Sequence, residues 1–129
     1  MTKTFLTSTI IELYSSMETF IKKDIELPAQ VSWDLETNSE TFRAIVEKFE
    51  RSRAKILNPL QEKNAFEITD ANQIRVKEPY AEEFQAAMEK ITEYLNTENE
   101  IEIKTIQKAD IPDSISVKDL RALKFMISV

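Results

Sequence analysis

Glutamates stand three and four residues apart at Glu36/Glu40, Glu47/Glu50 and Glu89/Glu93, a spacing that on a helix puts both carboxylates on one face, close enough to share Mg²⁺. Such pairs more often coat a solvated helix face, so no catalytic, cofactor-binding or metal-ligating residue is assigned. Composition thins the remaining enzyme chemistry. A chain without His lacks the commonest general base, the Ser–His and Cys–His nucleophile pairs and the usual imidazole ligands. Without Cys it has no thiol nucleophile, thiolate metal site or disulfide framework, and no oxidising compartment is implied. Without Gly it lacks the phosphate-cradling loops whose backbones must approach an anion closely. What survives is carboxylate chemistry, or a site built on Lys, Ser, Thr or Tyr.

One carboxylate pattern is worth testing. The all-helical nucleotide pyrophosphohydrolases carry a motif that resembles Glu-Glu-x-x-Glu followed later by Glu-x-x-Asp; Glu82-Glu83 begins it, but Ala86 stands where the third carboxylate is needed. The charge is unevenly spread. Residues 78 to 102 hold Glu78, Glu82, Glu83, Glu89, Glu93, Glu98, Glu100 and Glu102 against Lys90 alone, whereas Arg43, Lys48, Arg51, Arg53 and Lys55 make a basic segment broken only by Glu47 and Glu50. Either the acidic run lies against the basic one or faces water, which is the simpler expectation, or Glu82, Glu83, Glu89 and Glu93 form a surface for a basic partner. Trp33 lies off the apolar seam described below. It is expected to pack under a sheet or the last helix; left exposed, it becomes an interface anchor. With 17 basic and 23 acidic residues the net charge is −6, which disfavours direct binding to nucleic acid.

The elements that must position these groups follow from periodicity. Leu6, Ile10, Leu13, Met17 and Phe20 alternate steps of four and three, which predicts a first helix over 5–24. Pro28 suits a helix start, and Val31, Leu35, Asn38, Phe42, Ile45, Phe49, Ser52 and Ile56 then keep a heptad seam, with Asn38 and Ser52 its polar members. Asn58-Pro59 is expected to kink or end this second helix, since proline blocks a backbone bond. The short joint makes the two helices an antiparallel hairpin.

Phe66/Ile68 and Ile74/Val76 alternate with polar neighbours around Thr69-Asp70-Ala71-Asn72, which predicts a β-hairpin. Pro79 opens a third helix whose core face reads Tyr80, Phe84, Ala87, Met88, Ile91 and Leu95 and which ends near Asn96. A strand over 100–106 is placed to join the hairpin as a third strand. Ser116 as N-cap, Asp119 three residues on and Ile115 opposite Leu120 form a capping box with a hydrophobic staple, which predicts a last helix over 117–126.

The order of these parts resembles that of an uncharacterised family of small phage and prophage proteins. The likeness covers residues 27–126: a Leu-Pro-Ala entry at Leu27 to Ala29, Asn38 on the long helix and Phe-Glu-x-x-x-Ala at Phe49 to Ala54. It continues through the short hairpin, Ala-Glu-Glu-Phe at Ala81 to Phe84, Asn-Thr-Glu-x-Glu-Ile at Asn96 to Ile101 and the capped last helix. Relatives often place Gly in the hairpin turn, where this chain has Asn72. The resemblance implies a viral origin and brings no catalytic residues with it.

The expected fold is a single domain over 1–129, α+β and predominantly helical, with a long antiparallel helical hairpin, a third helix, a small two- or three-stranded sheet and a short C-terminal helix. The expected function is non-enzymatic, through protein–protein contacts, as a virion or assembly accessory. The alternatives are an inhibitor of a host defence or nucleic-acid-processing protein acting through the acidic surface, and a carboxylate/Mg²⁺-dependent hydrolase. Partners are expected to be a phage or host protein and a second copy, most simply a dimer along the seam of Leu35, Asn38, Phe42, Ile45, Phe49 and Ser52. No membrane association or secretory leader is expected, and the setting is the cytoplasm of a bacterial host, or the virion.

Overall fold

In the computed structural model, which describes residues 1–128, the chain is α+β and predominantly helical. Its order is β1 (Thr2–Leu6), α1 (Thr7–Lys22), α2 (Ala29–Glu62), β2 (Phe66–Ile68), β3 (Ile74–Val76), α3 (Ala81–Leu95), β4 (Glu98–Glu102), β5 (Ile106–Gln107), α4 (Val117–Leu123) and β6 (Ile127–Ser128), with 3-10 turns at Glu78–Tyr80, Lys108–Asp110 and Lys124–Met126. The chain divides into two compact units, one of residues 1–46 with 98–129 and one of residues 47–97. Among the described residues no helix is long and apolar enough to cross a membrane.

In the first unit, α1, the start of α2, β4, β5 and α4 enclose a core that includes Ile10, Met17, Phe42, Ile103, Leu123 and Met126. The heptad arithmetic identified its α2 members Val31, Leu35 and Phe42, while Val46 rather than Ile45 is the next fully buried position. Helix α1 starts later than expected. Leu6 is its N-cap, in extended conformation and 38% exposed, because Thr2–Leu6 is a strand antiparallel to β4, pairing Lys3 with Ile101 and Phe5 with Asn99. The strand over 100–106 therefore does not extend the hairpin; it splits into β4, which pairs with β1, and β5, which runs parallel to β6.

In the second unit, the C-terminal half of α2 is followed by the β2–β3 hairpin and α3. Pro59 does not end α2. The helix runs one more turn to Glu62 and stops in a Schellman arrangement: Asn64 is left-handed at φ 58, its N–H donates to the Gln61 carbonyl at 3.0 Å, and the Ala65 N–H donates to the Leu60 carbonyl at 3.0 Å. Leu60 and Ala65, the pair that usually makes apolar contact in this motif, are both fully buried. A chain without Gly has met its left-handed positions with Asp24, Asn64 and Asn72, the side chains that tolerate this region best. Asn72, at φ 63, closes the hairpin turn, where its N–H donates to the Thr69 carbonyl at 2.8 Å. On α3 the inward face is Phe84, Ala87, Ile91 and Leu95, with Phe84 edge-on to Phe66 at 5.9 Å. Met88 is 40% exposed, outside the core face expected for it.

Candidate functional site

The polar members of the α2 seam have local partners. Asn38 is completely buried, and its side-chain amide holds one residue of the neighbouring segment at both ends: Nδ2 donates to the Lys104 carbonyl at 2.9 Å, and the Lys104 N–H donates to Oδ1 at 2.8 Å. Lys104 lies between β4 and β5, where no strand partner meets its backbone groups, so the amide replaces a missing rung of sheet. Leu35, Asn38 and Phe42 are thus covered within one copy of the chain and are not a surface for a second. Further along, Phe49 is 8% exposed, Ile45 is half-buried, and half-buried Ser52 donates to the carbonyl of Lys48 at 3.0 Å. The seam expected to join two copies is therefore largely interior. Ser39, off the seam, is also buried and donates to Glu18 at 2.7 Å; a buried serine has no heptad signature.

Trp33 is 71% exposed, contrary to the packed position expected of it, because it falls on the outer side of α2 between the buried positions Val31 and Leu35. The four glutamates Glu82, Glu83, Glu89 and Glu93 lie on α3 in the other unit. Glu83 is taken by Lys63 at 2.9 Å, and the hydrogen bond to that carboxylate, with its charge, raises the pKa of the Lys63 ammonium. The acidic run is divided between the two units. Glu98, Glu100 and Glu102 belong to β4 in the first unit, where Glu102 accepts from the Met1 amine and from Thr2 Oγ1, both at 2.7 Å. Those bonds, the amine's first, hold the Glu102 carboxyl below its usual range. Of the basic segment, Arg43 meets Glu18 at 3.8 Å and Tyr14 at 3.2 Å, and Arg53 lies 5.8 Å from the centre of the Phe49 ring.

The terminal cap is as expected. Ser116 Oγ accepts from the Asp119 N–H at 3.1 Å, and Asp119, itself buried, receives Lys23, the C-cap residue of α1, at 2.5 Å. The Lys23 ammonium, with help from Ser116, holds the Asp119 carboxyl below its ordinary range.

Two features of the second unit remain open to solvent. On the hairpin, Phe66, Ile68, Ile74 and Val76 share one face by strand alternation, and Ile68 pairs directly with Ile74. Phe66 and Val76 are half-buried, but Ile68 and Ile74 are 72% and 76% exposed; Glu67 and Arg75, paired at 2.6 Å, occupy the other face. Between α2 and α3 runs a cleft of about 600 Å³. Its apolar lining is Ile56, Pro59 and Leu60 from α2 and Ala86 and Ala87 from α3, and Lys55, Lys90 and Tyr94 line it as well. Periodicity had marked parts of both features as core, and only the fold shows where that core runs out of cover. Among the described residues no group of three or more His, Cys, Asp or Glu is placed to hold a metal ion. Comparison with protein-family models, with curated proteins and with solved structures finds no match to the chain.

Proposed function

We propose that this protein acts by protein–protein contact, without a catalytic step of its own, as a virion or assembly accessory of a phage or prophage, in the host cytoplasm or on the particle. The observation that carries the contact role is the hairpin end: two large aliphatic side chains, Ile68 and Ile74, sit side by side and are about three-quarters exposed. Single exposed apolar residues are ordinary, but an adjacent pair continuing a covered apolar face gains the transfer free energy of burial only when a partner covers it. The hairpin is two-stranded, so its outer backbone edges are also open to a partner strand or loop. The phage setting is supported by the resemblance in the order of parts, from Leu27 to the capped last helix.

The test is made in infected cells. The tagged full chain should copurify with particles at a fixed copy number, and the Ile68→Asp/Ile74→Asp variant, folded as judged by circular dichroism, should be lost from them. Particles without the protein, or a variant retained like the wild type, would overturn the reading. Mg²⁺-dependent turnover of a nucleoside triphosphate or phosphodiester, abolished by Glu82→Gln, would replace it with the hydrolase.

A further inference from the structure

We infer that the α2–α3 cleft of the second unit binds the α3 helix of a second copy of this chain, in a two-fold dimer made by the cations of the cleft and the carboxylates beside it. The inference goes beyond the hairpin reading and uses different residues.

The cleft has a helix-shaped floor. Its α2 wall presents residues at 52, 55, 56, 59 and 60, and its α3 wall residues at 83, 86, 87, 90 and 94, each the three-and-four spacing of one helix face. A trough between two helices is filled best by a third helix, and Ala86 and Ala87 let its backbone approach closely. Along α3 the cleft extends over twelve residues, from Glu83 to Tyr94, a rise of about 16 Å at 1.5 Å per residue, which a fifteen-residue helix such as α3 itself can span.

Charge selects the occupant. The single carboxylate on the cleft wall, Glu83, is held by Lys63, whereas Lys55 and Lys90 make no ion pair among the described residues. Inside a protein of net charge −6 this is a small positive site. The matching negative stripe is on the same helix: Glu82, Glu89 and Glu93 are exposed, form no ion pair among the described residues, and lie roughly a quarter-turn around α3 from the cleft wall. Glu89 and Glu93, four apart, repel each other on an isolated helix, and an inserted ammonium relieves that. Because α3 carries both the wall and the stripe, each copy gives and receives the same contact, as a two-fold interface requires. Two antiparallel copies of α3 then place the lysines of one opposite the glutamates of the other.

The experiment is sedimentation of the full chain across a concentration series at low and high salt. Wild type should dimerise, more weakly at high salt. Lys55→Glu/Lys90→Glu and Glu89→Lys/Glu93→Lys, each with wild-type circular dichroism and melting, should each weaken the dimer by on the order of tenfold or more. An equimolar mixture of the two variants should recover association, because the reversed charges again oppose each other. A wild type monomeric throughout, two variants that dimerise like wild type, or a mixture that stays monomeric would each overturn the proposal. None of these substitutions touches Ile68 or Ile74, so loss of the dimer and loss of particle association are separable results.

Discussion

The two units of this chain differ in what they bury. The first buries twelve apolar residues together with Thr7, Asn38, Ser39 and Asp119, and no buried side-chain nitrogen or oxygen among the described residues lacks a hydrogen-bond partner. The second buries only Phe49, Leu60, Ala65 and Ile91, none of them polar, whereas both units leave large apolar side chains in water: Ile68, Ile74, Met88 and Tyr94 in the second, Leu6, Trp33, Val117 and Leu120 in the first. A buried polar group without a partner carries a desolvation penalty of about 1–3 kcal/mol, so an interior that admits four polar residues must specify one arrangement of its segments. That specified core suits the first unit to be a scaffold, while the second carries the hairpin end and the cleft.

The largest effect expected from breaking this contrast is at Asn38. Leucine would fit the apolar seam and, by the heptad argument alone, would stabilise the chain. With Lys104 held at both backbone groups, Asn38→Leu should instead destabilise it by about 2 kcal/mol, the cost of leaving a part-buried N–H and C=O without their partner. Denaturant titration measures this, and a variant as stable as wild type would show the clamp to be dispensable. Ser116→Ala should cost about 1 kcal/mol in the same assay, since it removes an N-cap whose hydrogen bond is in place.

Asp119→Asn tests the clasp between α1 and α4 through pH. The folded carboxyl is held below its usual range by Lys23, so the clasp contributes fully at pH values above the ordinary carboxylate range and is lost as acid protonates Asp119. The melting temperature of Asp119→Asn should therefore lie below that of wild type at neutral pH, and the gap should close as the pH falls through that range. A gap that is unchanged in acid would rule out the ion pair as its cause. The smallest stability effect is expected in the second unit: Ile68→Ser/Ile74→Ser should change stability by no more than about 0.5 kcal/mol, because both side chains are already in water. A larger loss would mean that the hairpin end supports its own unit and is no contact surface.

Local signals in the sequence were read well. The first and third helices, the hairpin with its left-handed Asn72 and the Ser116 cap each depend on residues within a few positions of one another, and each is found close to where spacing places it. Asn58-Pro59 marks the end of α2 only approximately. Pro59 is a strong stop signal, but the Leu60–Ala65 pair and a left-handed Asn64 make a cap that sequence patterns usually announce with Gly. The candidate contact surfaces are half legible: the glutamates of α3 stand out, whereas Lys55 of the cleft shows only as part of a basic run and Lys90 only as the lone cation of the acidic one, and the exposure of the hairpin isoleucines is invisible.

Residue types and their spacing by themselves determined the predominantly helical α+β class, the positions of most elements and the thinness of familiar catalytic chemistry, because each is a property of neighbouring residues or of composition. Tertiary structure alone decided that Thr2–Leu6 pairs with Glu98–Glu102 across nearly the whole chain, that Trp33 faces water, and that Asn38 binds Lys104 instead of setting the register of a second copy. The physical reason is that period-two and period-seven patterns record which side of an element is covered. They do not record what covers it, and a buried amide looks the same in the sequence whether its partner comes from another molecule or from a segment sixty-six residues away.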